Sequence, residues 1–127
     1  MTTITFPAAR LAERVHALDW SRLSGELDQQ GFACTDPILE EHECRDLADL
    51  FDGNGFRSTI EMARHRFGDG RYRYFDRPLP PLVQAARTAF YEHLAQIANT
   101  WSQRLSTGAP RFPDTHEELL KRCREAG

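Results

Sequence analysis

The stretch that decides the fold is Pro80–Leu105, PPLVQAARTAFYEHLAQIANTWSQRL, in which Val83, Ala86, Phe90, Leu94, Ile97, Trp101 and Leu105 recur at spacings of three or four. Such spacing places apolar side chains on one stripe of an α-helix, so a helix is predicted over 80–105. At 1.5 Å per residue it would be roughly 37 Å long and serve as the spine of the chain. Leu94, Ile97 and Trp101 are its expected most buried positions. Pro80-Pro81 suits the entry, where a missing N–H costs nothing, and Thr107-Gly108-Ala109-Pro110 closes the exit.

Shorter elements extend outward from this spine. Leu11, Val15 and Leu18 predict a helix over 7–18 with Pro7 in its first turn. Trp20, Leu23 and Leu27 predict another over 20–30, capped by Asp19 and ended by Gly31. Leu47, Leu50 and Phe51 share a face of a third helix over 41–51, before the turn Asp52-Gly53-Asn54-Gly55. A last helix over 114–125 carries Leu119, Leu120 and Cys123, with Asp114 and Glu117 as its expected capping pair. Strands are expected at 32–35, bounded by Gly31 and Asp36-Pro37, and at 56–62, where apolar and polar residues alternate. Two more, 64–67 and 71–75, flank Gly68-Asp69-Gly70 as a hairpin. The fold class is therefore α+β, predominantly helical with a small antiparallel sheet. Thirteen Leu against four Ile and two Val lean the same way.

Length and composition bound the function. The 127 residues make one domain the expectation, 40% apolar and 28% charged residues exclude disorder, and a net charge of -3 excludes a generally basic nucleic-acid sponge. Cys34, Cys44 and Cys123 are widely spaced with no CxxC pair, so neither a zinc site nor a disulfide framework is expected. No apolar run is long enough to span a bilayer, and no basic segment leads into an apolar one at the N-terminus. A cytoplasmic chain with reduced thiols and no membrane partner is the expectation.

Chemistry-bearing clusters are few. Glu41-His42-Glu43-Cys44 gathers ligand types, but adjacent helical residues diverge by about 100°, so three ligands would not converge there. The expected arrangement is a solvated helix start with Cys44 turned inward and Cys34 an inert thiol in an apolar strand. Gly53-Asn54-Gly55-Phe56 lacks the third glycine and the Lys-Ser/Thr of a phosphate loop. The unusual segment is Arg64–Arg77, where five arginines against two aspartates give +3 among four aromatic rings, while Asp36–Asp52 carries seven carboxylates against one arginine, or -6. Arginine pairs with phosphate and aromatic rings stack on bases, so Arg57, Arg64, Arg66, Arg71, Tyr72, Arg73 and Tyr74 are the candidate nucleic-acid contacts. Equally, one strand face could be core, with the arginines paired to the acidic helix.

Three stretches resemble the N-terminal half of iron(II)- and 2-oxoglutarate-dependent oxygenases. Leu27-Asp28-Gln29-Gln30-Gly31-Phe32, Pro37-Ile38-Leu39 and Glu43-Cys44-Arg45-Asp46-Leu47 with Leu50-Phe51 form an opening shared with prolyl-hydroxylase-like members. Phe56-Arg57-Ser58-Thr59-Ile60-Glu61-Met62, followed by Arg66-Phe67-Gly68 and Tyr72-Arg73-Tyr74-Phe75, is similar to a bacterial subgroup named for oxidative demethylation of damaged DNA. The third stretch is the long helix through Tyr91, Asn99 and Trp101, then Arg111-Phe112-Pro113-Asp114 and the last helix. The resemblance implies the helical support layer of a double-stranded β-helix oxygenase whose catalytic core is absent from this chain. It implies iron(II) and 2-oxoglutarate for a full-length parent.

Such oxygenases hold iron through His-x-Asp and a later His, leaving positions open for cosubstrate and oxygen. Here the residues two positions after the five histidines are Leu18, Cys44, Phe67, Ala95 and Glu118. No catalytic, cofactor-binding or metal residue is therefore assigned, and the isolated chain is expected to be inactive. The expected partners are a C-terminal catalytic half, single-stranded or damaged DNA, and a second copy through exposed apolar surface. The alternative is a standalone interaction module that binds nucleic acid through Arg64–Arg77 or a protein through its apolar face.

Overall fold

The computed structural model describes residues 2–127, with side chains from residue 8 onward. Its described residues form five α-helices and one two-stranded antiparallel sheet, the expected α+β class. They divide into two compact units, one of residues 2–38 and 81–127, the other of residues 39–80.

The first unit is helical. Helix α1 spans Thr2–His16, beginning ahead of the predicted start because the fixed φ of Pro7 is itself helical and marks no boundary. Helix α2, Trp20–Gln30, has the expected limits: Asp19 accepts a hydrogen bond from the Arg22 amide at 3.1 Å, and Gly31 takes the left-handed conformation at φ 82°. Helix α4, Pro81–Leu105, packs along α1, and Leu11 and Val15 of α1 are fully buried.

The predicted inner face of α4 is not the buried one. Leu94 is 44% exposed and Trp101 is exposed as well, whereas Ala89, Ala95 and Asn99 are buried. Periodicity identifies an apolar stripe without saying what covers it, and helices approach most closely where side chains are small.

Asn99 explains its own burial. Its amide donates to the Phe112 carbonyl at 3.0 Å and accepts from the Phe112 amide at 2.7 Å, satisfying the backbone of the loop that follows α4. The Tyr91 hydroxyl donates to the Pro113 carbonyl at 2.8 Å, and Arg122 donates to the Arg111 carbonyl at 3.0 Å. Burial raises the Tyr91 phenol above its ordinary value, with the charge of Arg122 acting in the opposite direction. Helix α5, His116–Ala126, is capped by Thr115 rather than by Asp114; the Thr115 hydroxyl accepts from the Glu118 amide at 3.2 Å. Asp114 instead lies 3.4 Å from Arg111.

The second unit opens with α3, Glu41–Asp49, whose start is a capping box: the Glu43 carboxylate accepts from the Glu40 amide at 2.8 Å. The expected helix over 41–51 tightens into a 3₁₀ turn at Leu50–Asp52. Strands β1, Phe56–Glu61, and β2, Arg71–Phe75, pair antiparallel. The strand expected at 64–67 is instead part of a 3₁₀ turn over Met62–His65, followed by Arg66 in the left-handed region at φ 60°. Strand β2 thus pairs with β1 and not with the segment just before Gly68. The segment 32–35 is no strand either: it has no pairing partner among the described residues, and Phe32 is exposed. Pairing is a long-range decision that a short apolar run does not encode.

Candidate nucleic-acid interface

The β1–β2 ladder sorts the arginines and rings of the second unit. Glu61 opposes Arg71, Ile60 opposes Tyr72, Thr59 opposes Arg73 and Ser58 opposes Tyr74, but the next pair is Phe56 with Phe75. Arg57 is the extra residue, a β-bulge. A bulge re-aims the side chains around it. Phe56 consequently stacks on Phe75 with centroids 5.0 Å apart, while the Arg57 guanidinium lies 5.2 Å from the centre of the Tyr74 ring.

Opposed residues share a face, so Tyr72, Tyr74, Ile60 and Ser58 lie together on one side. Tyr72 and Tyr74 meet edge to face at 5.6 Å and are 41% and 45% exposed. Desolvation, and then the neighbouring Tyr74, holds the Tyr72 phenol above its usual value, so Tyr72 is a neutral donor near pH 7. Arg57, Tyr74 and Tyr72 thus form a cation flanked by two exposed rings, able to offer stacking surface and positive charge together.

The opposite face is occupied internally. The Arg73 guanidinium donates to Thr59 Oγ1 at 3.0 Å, to the Gly53 carbonyl at 3.2 Å and to the Phe51 carbonyl, and sits 4.0 Å above the Phe56 ring. It ties the turn after α3 to the sheet. Arg71 lies 5.4 Å from the centre of the Phe51 ring. Among the described residues no ion pair is found between these arginines and the acidic helix. Among the described residues none of Arg57, Arg64, Arg66, Arg71 and Arg77 takes part in an ion pair, while Glu41 is bonded to Arg45 at 2.7 Å within α3. Of the seven candidate residues, the ladder brings Arg57, Tyr72 and Tyr74 to one open face. It turns Arg73 inward, sets Arg71 on the opposite face, and leaves Arg64 and Arg66 exposed beside the connecting loop.

Other sequence clusters resolve differently. Cys34, Cys44 and Cys123 are free thiols and exposed, so Cys44 is not turned inward and Cys34 is in no apolar strand: outward-facing helix and loop positions, not residue type, decide their surroundings. His42 lies 3.4 Å from Glu40 at the surface. Among the described residues no three of His, Cys, Asp and Glu are placed to hold a metal ion, and no helix is long and apolar enough to cross a membrane.

The helical unit holds two arrangements that sequence inspection missed. Trp101 Nε1 donates to Asp28 Oδ1 at 2.6 Å and Arg104 donates to Asp28 Oδ2 at 3.1 Å, so first the indole and then the guanidinium hold that carboxyl below its ordinary value. His16 and His93 come within hydrogen-bonding distance at 2.9 Å. Both pairs are more than 70 positions apart, and no local signal joins them.

No curated protein and no solved structure matches the chain. A family model does match, over the segment that begins just before β2 and runs through α4 and α5: residues 70–127 are similar to the family described as an oxygenase catalysing oxidative methylation of damaged DNA.

Proposed function

We propose that this chain forms the support and substrate-rim portion of an oxygenase acting on methyl-damaged DNA, and that the Arg57–Tyr74–Tyr72 face engages an unstacked base. The observation that carries the proposal is the bulge at Arg57, which puts one cation and two exposed rings on the same open face. The family match supports it, because β2 with both tyrosines lies inside the matched residues. Arg64, Arg66 and Arg77, unpaired among the described residues, would bind phosphate oxygens around that base. A base in a duplex is buried in its stack, so this face suits a single-stranded or extruded nucleotide.

The resemblance implies iron(II) and 2-oxoglutarate for a parent enzyme. Among the described residues no three of His, Cys, Asp and Glu are placed to hold a metal ion, and His16 and His93 point at each other, so no residue is assigned to iron(II). No oxidative step is assigned to these residues; their contribution is substrate binding and packing.

The test is fluorescence anisotropy of a short labelled single strand, with and without a methylated base, across a salt series. Tyr74→Ala should weaken binding by about 1–3 kcal/mol, the range for loss of one stacked base. Arg57→Ala should weaken it and lower the salt slope by about one. Arg22→Ala, at a residue bonded to Glu26, should leave binding unchanged. Equal affinity of wild type and Tyr74→Ala at every salt concentration would overturn the proposal.

A further inference from the structure

We propose that His93, with His16, forms a proton-sensitive clasp that fastens α1 and α2 to α4 and opens on acidification. His16 is the last residue of α1 and His93 lies in the middle of α4; Nδ1 of one is 2.9 Å from Nε2 of the other. One ring donates and the other accepts. Trp20, the first residue of α2, stacks on the other side of the arrangement, its indole parallel to the His93 ring within 4° and 4.2 Å away. That indole is itself fixed, because its N–H donates to the Val15 carbonyl at 2.9 Å and its edge meets Phe90 at 6.0 Å. A single imidazole of α4 therefore contacts both α1 and α2.

The bond needs one N–H and one lone pair. A neutral pair meets this condition, and so does a pair carrying one extra proton. A second added proton removes the acceptor and sets two cations against each other at the same spacing, at the centre of the clasp. The charged and titratable groups facing the pair are few. From α1 there is His16 itself; from α4, Glu92 lies 4.0 Å from His16 Nε2; from α2, Asp28 lies farther along the same cleft, bound to Trp101 and Arg104. Burial, and then His16, lower the His93 value, with Glu92 opposing.

The sign follows from that direction. A histidine whose folded value is depressed binds its proton more readily in the unfolded chain, so its stabilising contribution is complete above about pH 6.5 and is lost as the pH falls below it. The spacing is that of a hydrogen bond, and among the described residues no group of three His, Cys, Asp or Glu side chains is placed to hold a metal ion.

The test uses Trp20 emission in a Trp101→Phe background, titrated from pH 8 to pH 5, with helicity followed in parallel. The expected result is a reversible change in Trp20 emission below about pH 6.5, completed while helicity persists. His93→Phe retains a ring for Trp20 to stack on and should abolish the change. His16→Asn, at an exposed position, removes the facing imidazole, so the pair of cations cannot form, and should also abolish the change, which keeps the test decisive if His93→Phe does not fold. Flat Trp20 emission over this range, or an identical titration in wild type and His16→Asn, would overturn the proposal.

Discussion

The helical unit and the 39–80 unit use polar side chains in opposite ways. In the first, Tyr91 and Asn99 direct their polar groups at the backbone of the loop at 112–113, and Asp28 is bonded through both oxygens. In the second, only Arg73 among the arginines from Arg57 to Arg77 makes guanidinium hydrogen bonds among the described residues. Polar groups that close on their own chain shape the fold, while those left toward solvent are available to a ligand. Residue type does not separate the two classes; Arg71 and Arg73 are two positions apart on one strand and one face.

The largest expected effect tests which apolar face of the helical unit is core. Leu11→Ala, at a fully buried position, should cost about 2–5 kcal/mol through lost transfer energy and the cavity left behind. Leu94→Ala, at a side chain 44% exposed, should cost about 1 kcal/mol or less. Urea denaturation midpoints measure both, and equal midpoints would mean that the Leu94 stripe is covered in solution. Next in size is the contrast within β2. Arg73→Ala should lower stability by about 1–3 kcal/mol, since it removes charge-assisted bonds and leaves two backbone carbonyls to find other donors. Arg71→Ala should change stability by about 0.5 kcal/mol or less, and the same denaturation series separates the two.

The smallest effect concerns Asp28. Its folded value is depressed by Trp101 and then Arg104, so its contribution is present above the unfolded carboxyl value near 4 and is lost as pH falls through the folded value. Trp101→Phe should shrink this acid-side loss. An unchanged stability profile between pH 5 and pH 2 would show that the exposed bond contributes nothing measurable.

What sequence could reveal follows the same division. The limits of α2 were legible because Asp19 and Gly31 act locally, through a cap and a left-handed residue. Strand β1 was legible from its alternation, and β2 from the turn residues Gly68-Asp69-Gly70 ahead of it. The segments 32–35 and 64–67 were misjudged because a strand exists only with a partner, and the partner lies elsewhere in the chain. Asn99 gave no core signal, since its burial depends on a loop residue 13 positions away. For the candidate interface, composition located the right segment but not its working face. That required the bulge, which has no signature in residue type.

The bulge also makes the surface of this hairpin sensitive to register rather than to chemistry. If the same residues of β1 paired without it, strict alternation would put Phe56 on the side of Ser58 and Ile60 and carry Arg57 over to Thr59 and Glu61, next to Arg73. The phenyl ring would then crowd the two tyrosines, and two guanidiniums would compete for the carbonyls after α3. A slip of one position at the end of β1 would thus exchange wrapper and contents, with every ring and every charge still present, whereas deleting the extra residue would leave Phe56 opposite Phe75 and remove only the cation.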